Sequence, residues 1–447
     1  MKKRIGLVSL GCPKNLVDSE IMLGALKDKG YEIVSDEKQA DIIIVNTCGF
    51  IESAKQESID TVLEMAALKG HTCELLIVTG CLAQRYKKMI LDEIPEVDAV
   101  AGTGNYREIA SVIRKAYEGS RPLLCGEPDG GSYSEEGERI LSTTGGYAYL
   151  KIAEGCDNCC TYCVIPSLRG RFRSRRMEEI LKEAADLAAS GVRELILIAQ
   201  DTTRYGEDIY GKRQLAELLR KLSGIGGIEW IRLLYCYPEE IDDELILEIS
   251  NNDKICKYID IPLQHASDAI LKKMGRRGGC GDIARLIEKL RSRIPDVILR
   301  TTFIVGFPGE TEEDYAILYE FIKKYRFDRL GIFMYSKEDD TPAAGMRHQI
   351  PAKIKKMRYS ELMKLQEGIS AGLNKERLGK IYKVLVEGVA EDGIFYYGRS
   401  YAEAPDIDGL IYFTSSGPLE MGRFANVEIL NCEQYDLTGE VKNESAK

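Results

Sequence analysis

Thirteen of the 447 residues are cysteines, and the run EGCDNCCTYCVIP sets Cys156, Cys160 and Cys163 at CxxxCxxC spacing. Three thiolates on so short a loop can hold three irons of a cubic four-iron cluster and leave the fourth iron open. An open iron is what a site needs when a substrate or cofactor must coordinate there. Cys159 opens a second reading, because Cys156–Cys159 and Cys160–Cys163 are also two CxxC pairs. Zinc modules usually separate such pairs by a dozen or more residues, so that the ligands can close tetrahedrally. Here the pairs abut, and the iron–sulfur reading is preferred.

A second set is dispersed. Cys12 follows the run RIGLVSL, Cys48 follows DIIIVNT and Cys81 follows ELLIVTG, each beside a glycine (Gly11, Gly49, Gly80). All three fall just past the carboxyl ends of expected parallel strands, the edge where loops of open α/β sheets converge on ligands. Equivalent positions let three loops share one metal centre despite the gaps in sequence. The alternative is three unrelated buried thiols, since free cysteine is often a small core residue. Cys73, Cys125, Cys236, Cys256, Cys280 and Cys432 follow no such pattern and read as structural.

The elements that must position these residues alternate in type. Over residues 1–125 the three apolar runs are each followed by helical spacing, at Leu16–Lys29, Ile51–Leu68 and Gln84–Glu93, which predicts an open parallel sheet with helices on both faces. Residues 126–146 are rich in Gly, Ser, Asp and Glu and read as an exposed linker. Residues 147–376 carry strand patterns at Tyr147–Ile152, Glu194–Ile198, Trp230–Tyr235, Lys257–Ile261, Val297–Val305 and Arg329–Tyr335, with helical patterns between most of them. Six such units predict a partial (β/α)6 barrel, with Pro351–Arg377 as a long polar helix leading out. Residues 377–443 hold short β-rich runs separated by turn residues, the pattern of a small antiparallel, OB-like barrel. The fold class is therefore α/β multidomain.

Hydrophobic residues make up 44% of the chain and charged residues 30%, which excludes a disordered or fibrous protein. No apolar run approaches the roughly 20 residues of a membrane span, and the apolar stretch after the N-terminal lysines is too short for a signal peptide. A cytoplasmic protein with no membrane partner is expected. In that compartment thiols stay reduced, so clustered cysteines point to metals or catalysis rather than disulfides.

The segments SLGCPKNLVDSE, VNTCGFIESAKQES, VTGCLAQRY and GCDNCCTYCVIPSLRGRFRSR together resemble the radical S-adenosylmethionine methylthiotransferases, over nearly the whole chain and in the same domain order. CPKNLVDSE, CGFIESAKQES and QDTTRYG are similar to the members that act on ribosomal protein S twelve, and differ from the tRNA-modifying members. Cys159 departs from the family pattern, which has a basic or polar residue there, while Cys156, Cys160 and Cys163 match by position.

The resemblance implies a [4Fe-4S] cluster on Cys156, Cys160 and Cys163 whose open iron chelates S-adenosylmethionine. It implies a second [4Fe-4S] cluster on Cys12, Cys48 and Cys81 that holds the sulfur to be inserted. Reductive cleavage of S-adenosylmethionine would give a 5′-deoxyadenosyl radical that takes hydrogen from the β-carbon of an aspartate, a carbon no ordinary base can deprotonate. A second S-adenosylmethionine would supply the methyl group, and an electron donor is required. The substrate implied is a basic small-subunit ribosomal protein, free or on the assembling ribosome. The competing readings are a tRNA adenosine methylthiotransferase and a non-catalytic metal-binding RNA module.

Other positions carry weaker signals. Gly306 and Gly309 in FIVGFPGET would permit close backbone approach to the cofactor, or form only a tight strand–helix turn with Glu310 and Thr311 at the helix start. Gln200 and Asp201 are candidate polar contacts to cofactor or substrate, and His265, after Gln264, is more often structural than catalytic in such a setting. Five arginines between Arg169 and Arg176 could grip phosphates or an acidic peptide, face solvent, or pair internally with barrel carboxylates. The terminal region resembles the TRAM module, which often binds RNA. From Arg377 to Val441 it holds eleven acids against five bases, a net charge of -6 that would repel phosphates and attract a basic protein, or would serve only solubility. On this count tRNA is disfavoured as a partner.

Overall fold

A computed structural model describes residues 2–128, 139–143 and 145–442. The chain forms two compact units. The first comprises residues 1–142, 151–179 and 336–344, and the second residues 143–150, 180–335 and 345–447.

The first unit is built on a six-stranded parallel sheet, ordered Glu32–Ile33, Arg4–Ser9, Ile42–Thr47, Leu75–Gly80, Ala99–Ala101, Leu123–Leu124. Ile42–Thr47 and Leu75–Gly80 are buried along their whole length, as near-continuous aliphatic runs must be when helices cover both faces. The two-residue edge strands and Ala99–Ala101 are too short to leave a periodic signal, and the sequence reading has only the three long strands. Helix Pro13–Asp28 starts directly at Cys12, its N-cap, with Pro13 at the first position where no amide is needed. The single helix expected at Gln84–Glu93 is two, Cys81–Tyr86 and Lys88–Glu93, because Lys87 adopts φ 43° and interrupts the hydrogen-bond ladder.

Of the expected linker, residues 129–138 and 144 lie outside the described residues. The described part is not free chain. Arg139 pairs with the buried Glu20 at 2.5 Å, and Ser142 donates both its amide and its hydroxyl to the same carboxylate.

The second unit contains a parallel sheet in sequential order, from Tyr147–Lys151 through Glu194–Ile198, Trp230–Leu233, Ile255–Gln264 and Ile298–Val305 to Arg329–Met334. Sequential order without closure is that of a partial barrel. Helix Ala352–Lys375 follows, and the chain ends in a closed five-stranded barrel around Val384, Val386, Ile411, Phe413, Val427, Ile429 and Leu437. That barrel is antiparallel except where Ile411–Thr414 pairs in parallel with Leu437–Val441.

The terminal barrel is joined to the sheet of its own unit by buried charge. Glu194, fully buried, accepts from Arg232 at 2.7 Å and from Arg399 at 2.8 Å, and Arg399 also reaches Glu387. Glu403 accepts from Arg329 at 2.8 Å and from Arg377. Asp408 accepts from the Tyr258 hydroxyl at 2.7 Å. Three of the eleven acids counted in this region are thus engaged within the unit. Among the same residues, Glu391, Asp392, Asp406, Glu420 and Glu433 are the exposed acids and Lys380, Lys383 and Arg423 the exposed bases. Glu428, Asp436 and Glu440 are partly exposed as well, so eight acids against three bases reach solvent and most of the acid excess counted in the sequence persists at the surface.

Candidate functional site

The first unit contains all six candidate cysteines, and every cysteine of the chain is a free thiol. Cys12, Cys48 and Cys81 sit at the carboxyl ends of three neighbouring strands. Gly11 has φ +88°, and a Cβ there would stand 2.8 Å from Cys48 Cβ and 3.0 Å from Cys48 Sγ. A Cβ on Gly49 would meet the backbone between Cys81 and Leu82 at 3.0 Å or less. The glycines beside these cysteines therefore let the loops close on one another. Burial, then the neighbouring Cys81 and Cys12, push the Cys48 thiol up to about 12. Burial also raises Cys81, with Arg169 opposing it.

Asn15 ties these loops together. Its amide nitrogen donates to Leu10 O at 2.9 Å and Thr47 O at 3.0 Å, the residues flanking the loops of Cys12 and Cys48. Its Oδ1 accepts from Arg169 and lies 3.9 Å from Cys81 Sγ. Arg169 comes from helix Ile165–Arg169, which follows Cys163, and Cys81 packs against Val164 and Leu168 beside it. The two cysteine sets are thus neighbours within one unit.

Beneath them lies a buried cluster of two cations and two anions. Arg169 donates to Asp18 at 2.8 Å and Glu154 at 2.9 Å; Lys151 pairs with the same two carboxylates. Desolvation makes a lone buried charge costly, so this balance is what permits the burial. Sequence reasoning missed Asn15, Asp18, Lys151 and Glu154. The available signal was the polar run of CPKNLVDSE on a helix otherwise placed against the sheet.

The CxxxCxxC loop shows backbone amides aimed at sulfur. Asn158 N–H donates to Cys156 Sγ and Ile165 N–H to Cys163 Sγ, each at 3.4 Å. Such bonds favour thiolates and tune iron–sulfur clusters. Cys159 is exposed, its thiol 3.7 Å from Asp157 O. Among the described residues no three such side chains close on a single metal ion; a cubane asks for a wider set, because each thiolate binds its own iron. The donor chemistry of both sets fits four-iron clusters.

Segment 336–344 braces both loops. Glu338, nearly fully buried, pairs with Arg85 at 2.8 Å and Lys55 at 3.0 Å, while Arg85 also donates to Gly49 O at 3.0 Å. Ala343 N–H donates to Thr161 O at 2.9 Å, between Cys160 and Cys163. The arginine run is divided: Arg169 and Arg175 are buried, Arg175 donating to Lys151 O at 2.7 Å, Arg173 is half-buried, and Arg171 and Arg176 are exposed, Arg171 pairing with Asp157 at 3.4 Å.

Gln200, Asp201, Gly306 and Gly309 belong to the second unit. Asp201 is buried and accepts from Thr203 at 2.6 Å; Gln200 is half-buried. At Gly306 the Lys355 side chain fills the space a Cβ would take, and at Gly309 Lys273 Nζ does so. The Gly306 and Phe307 amides donate to Glu310, and Thr311 caps helix Glu312–Tyr325 with Asp314. His265 is fully buried, accepts from Ser267 N–H at 2.9 Å, and lies 3.6 Å from Glu310. This is the geometry of a tight, polar strand–helix turn.

Residues 150–322 match the radical SAM superfamily, residues 378–441 the TRAM domain, and residues 4–102 the uncharacterized protein family UPF0004. The fold is similar to that of the radical S-adenosylmethionine methyltransferase TsrM from Kitasatospora setae, with a TM-score of 0.57 and 17% identity over 77% of each chain. Fold and superfamily match together define a radical S-adenosylmethionine enzyme. Ribosomal protein uS12 methylthiotransferase RimO of Acetivibrio thermocellus is 59% identical over 455 residues, and that of Clostridium botulinum 55% identical over 454, each alignment spanning 100% of both chains. The RimO of Clostridium tetani is 48% identical over 447 residues, again 100% of both. The chain belongs to the RimO-type radical S-adenosylmethionine methylthiotransferases. It is a transferase, and its family works with S-adenosylmethionine and [4Fe-4S] clusters.

Proposed function

We propose that the chain inserts a methylthio group at the β-carbon of an aspartate of ribosomal protein uS12, with Cys156, Cys160 and Cys163 as ligands of one [4Fe-4S] cluster and Cys12, Cys48 and Cys81 of a second. The reading is carried by the meeting of two complete cysteine sets in one compact unit of a chain aligned end to end with uS12 methylthiotransferases. When bound, the clusters and S-adenosylmethionine supply the radical and sulfur chemistry that no side chain here can perform.

The chain's own groups have definite tasks. Asn158 and Ile165 amides hold Cys156 and Cys163 as acceptors of hydrogen bonds, so their sulfurs are oriented before loading. Val164 and Leu168 keep water from Cys81. Asn15 fixes the loops of Cys12 and Cys48 at one spacing. Gln200 and Asp201 at a strand end, and Gly306 and Gly309 in their turn, are proposed to border the S-adenosylmethionine site. The partners are the ribosomal protein, free or on the assembling ribosome, and an electron donor, in the cytoplasm. Among the described residues no helix is long and apolar enough to cross a membrane.

Anaerobic reconstitution should give about eight irons per chain, and stoichiometric zinc instead would end the reading. The reduced enzyme is then incubated separately with uS12 and with tRNA. A uS12 peptide heavier by one methylthio group in place of hydrogen supports the proposal; methylthiolated adenosine in tRNA overturns it.

A further inference from the structure

Arg169 lies in the sequence of one cysteine set and ends in the pocket of the other. Its helix follows Cys163 directly, yet its guanidinium is nearly fully buried at Asn15, Asp18 and Glu154. Three independent acceptors hold the planar fork, so its direction is set by geometry rather than by a flexible stem. The arm that meets Asn15 Oδ1 shares that oxygen with Cys81 Sγ, 3.9 Å away. A ligating thiolate has no proton to give Asn15, which leaves the guanidinium as that oxygen's donor and as the positive group facing the sulfur. Of the three thiols in that set, Cys81 is the one that shares an acceptor oxygen with the guanidinium.

We propose that Arg169 is a positioning residue for the cluster at Cys12, Cys48 and Cys81: held by Asp18, Glu154 and Asn15, its guanidinium sets a fixed positive charge against Cys81 and raises that cluster's reduction potential. The inference rests on the assignment of those three cysteines as ligands. A cluster gains negative charge on reduction, and a buried cation beside a ligand sulfur favours that state. With Lys151 on the same two carboxylates the four charges sum to zero, so a neutral side chain in place of Arg169 would leave a net negative charge beside the ligand sulfur.

The test is a redox titration of the reconstituted holoenzyme followed by electron paramagnetic resonance, on wild type, Arg169→Lys and Arg169→Gln. The cluster at Cys156, Cys160 and Cys163 is recognised by its response to S-adenosylmethionine. The expected result is a more negative potential for the other cluster in Arg169→Gln, a smaller shift in Arg169→Lys, and no shift of the S-adenosylmethionine-responsive cluster. Equal shifts of both clusters, or of neither, overturn the proposal. If Arg169→Gln does not fold, wild type grown on nitrogen-15 arginine decides: hyperfine coupling from a guanidinium nitrogen is expected on the second cluster and is lost in Arg169→Lys. Absence of that coupling overturns the proposal. A wild-type count of about four irons would instead overturn the ligand assignment itself, whereas about eight irons with unmoved potentials overturns only the role of Arg169.

Discussion

Arg169 donates to Asp18 at 2.8 Å between side chains that are both almost fully buried, although 151 residues separate them in sequence. The pair connects the helix after Cys12 to the helix after Cys163, and with Lys151 and Glu154 it forms a charge-balanced core under both cysteine sets.

Removing one member of that core should be costly. Asp18→Ala leaves Arg169 and Lys151 facing Glu154 alone, and a loss of roughly 3–5 kcal/mol is expected. Urea unfolding measures it. The double variant Asp18→Ala/Lys151→Met should recover part of the loss, because it restores the balance; strictly additive losses would show that the four groups are not coupled.

Gly11 is expected to tolerate no side chain. At φ +88° with Cys48 Cβ 2.8 Å from the position of a new Cβ, Gly11→Ala combines backbone strain with overpacking, about 1–3 kcal/mol. The displaced loops should also lower iron bound at Cys12, Cys48 and Cys81. Full iron content with unchanged stability would refute the close packing of these loops.

Acid should loosen the second unit in a defined window. Burial alone would raise the Glu403 carboxyl, but Arg377 and Arg329 outweigh it and hold it at about 2, below its ordinary 4.5. A depressed carboxyl stabilises the fold above its unfolded value and loses that contribution as pH falls through the folded one. On the order of 3 kcal/mol is at stake, present above about pH 5 and lost progressively toward pH 2. Glu403→Gln should flatten this part of the stability–pH curve; an unchanged slope would count against the pairing.

The terminal barrel should matter to stability as well as to substrate. Truncation after Glu376 removes Arg399 from Glu194, the Ser400 and Tyr401 carbonyls from Arg232, and Phe424 from Trp230, whose rings are 4.6 Å apart. Arg232 then keeps Glu194 and the Tyr258 ring, 4.9 Å from its guanidinium. Scanning calorimetry should show the remaining chain melting several degrees lower, for a loss of roughly 3 kcal/mol. An unchanged melting point would mean that the barrel is an independent appendage.

The strands that carry the cysteines were legible because buried parallel strands are written as unbroken aliphatic runs, and IIIV or LLIV has few other uses. Glu194–Ile198 has the bounds the pattern predicts, whereas Ile255–Gln264 runs longer at both ends than expected. Two-residue strands and the break at Lys87 left no pattern to read. The arginine run illustrates the limit differently. Its charge was visible, but Arg169 and Arg175 turn inward while Arg171 turns out, and spacing does not encode that choice.

By itself the sequence determined the chemistry available: thiol types and spacings, the aliphatic runs that place Cys12, Cys48 and Cys81 at strand ends, and the family resemblance that these motifs carry. Tertiary structure decided which charges meet. The -6 of the terminal region is a sum over residues, and it does not reveal that Glu387, Glu403 and Asp408 are the acids that meet buried partners. Asn15 and Arg169 became part of the site only when 154 residues of chain were folded back. The physical reason is the same in both cases: composition is local and additive, whereas burial and ion pairing depend on distances that only the packed chain defines.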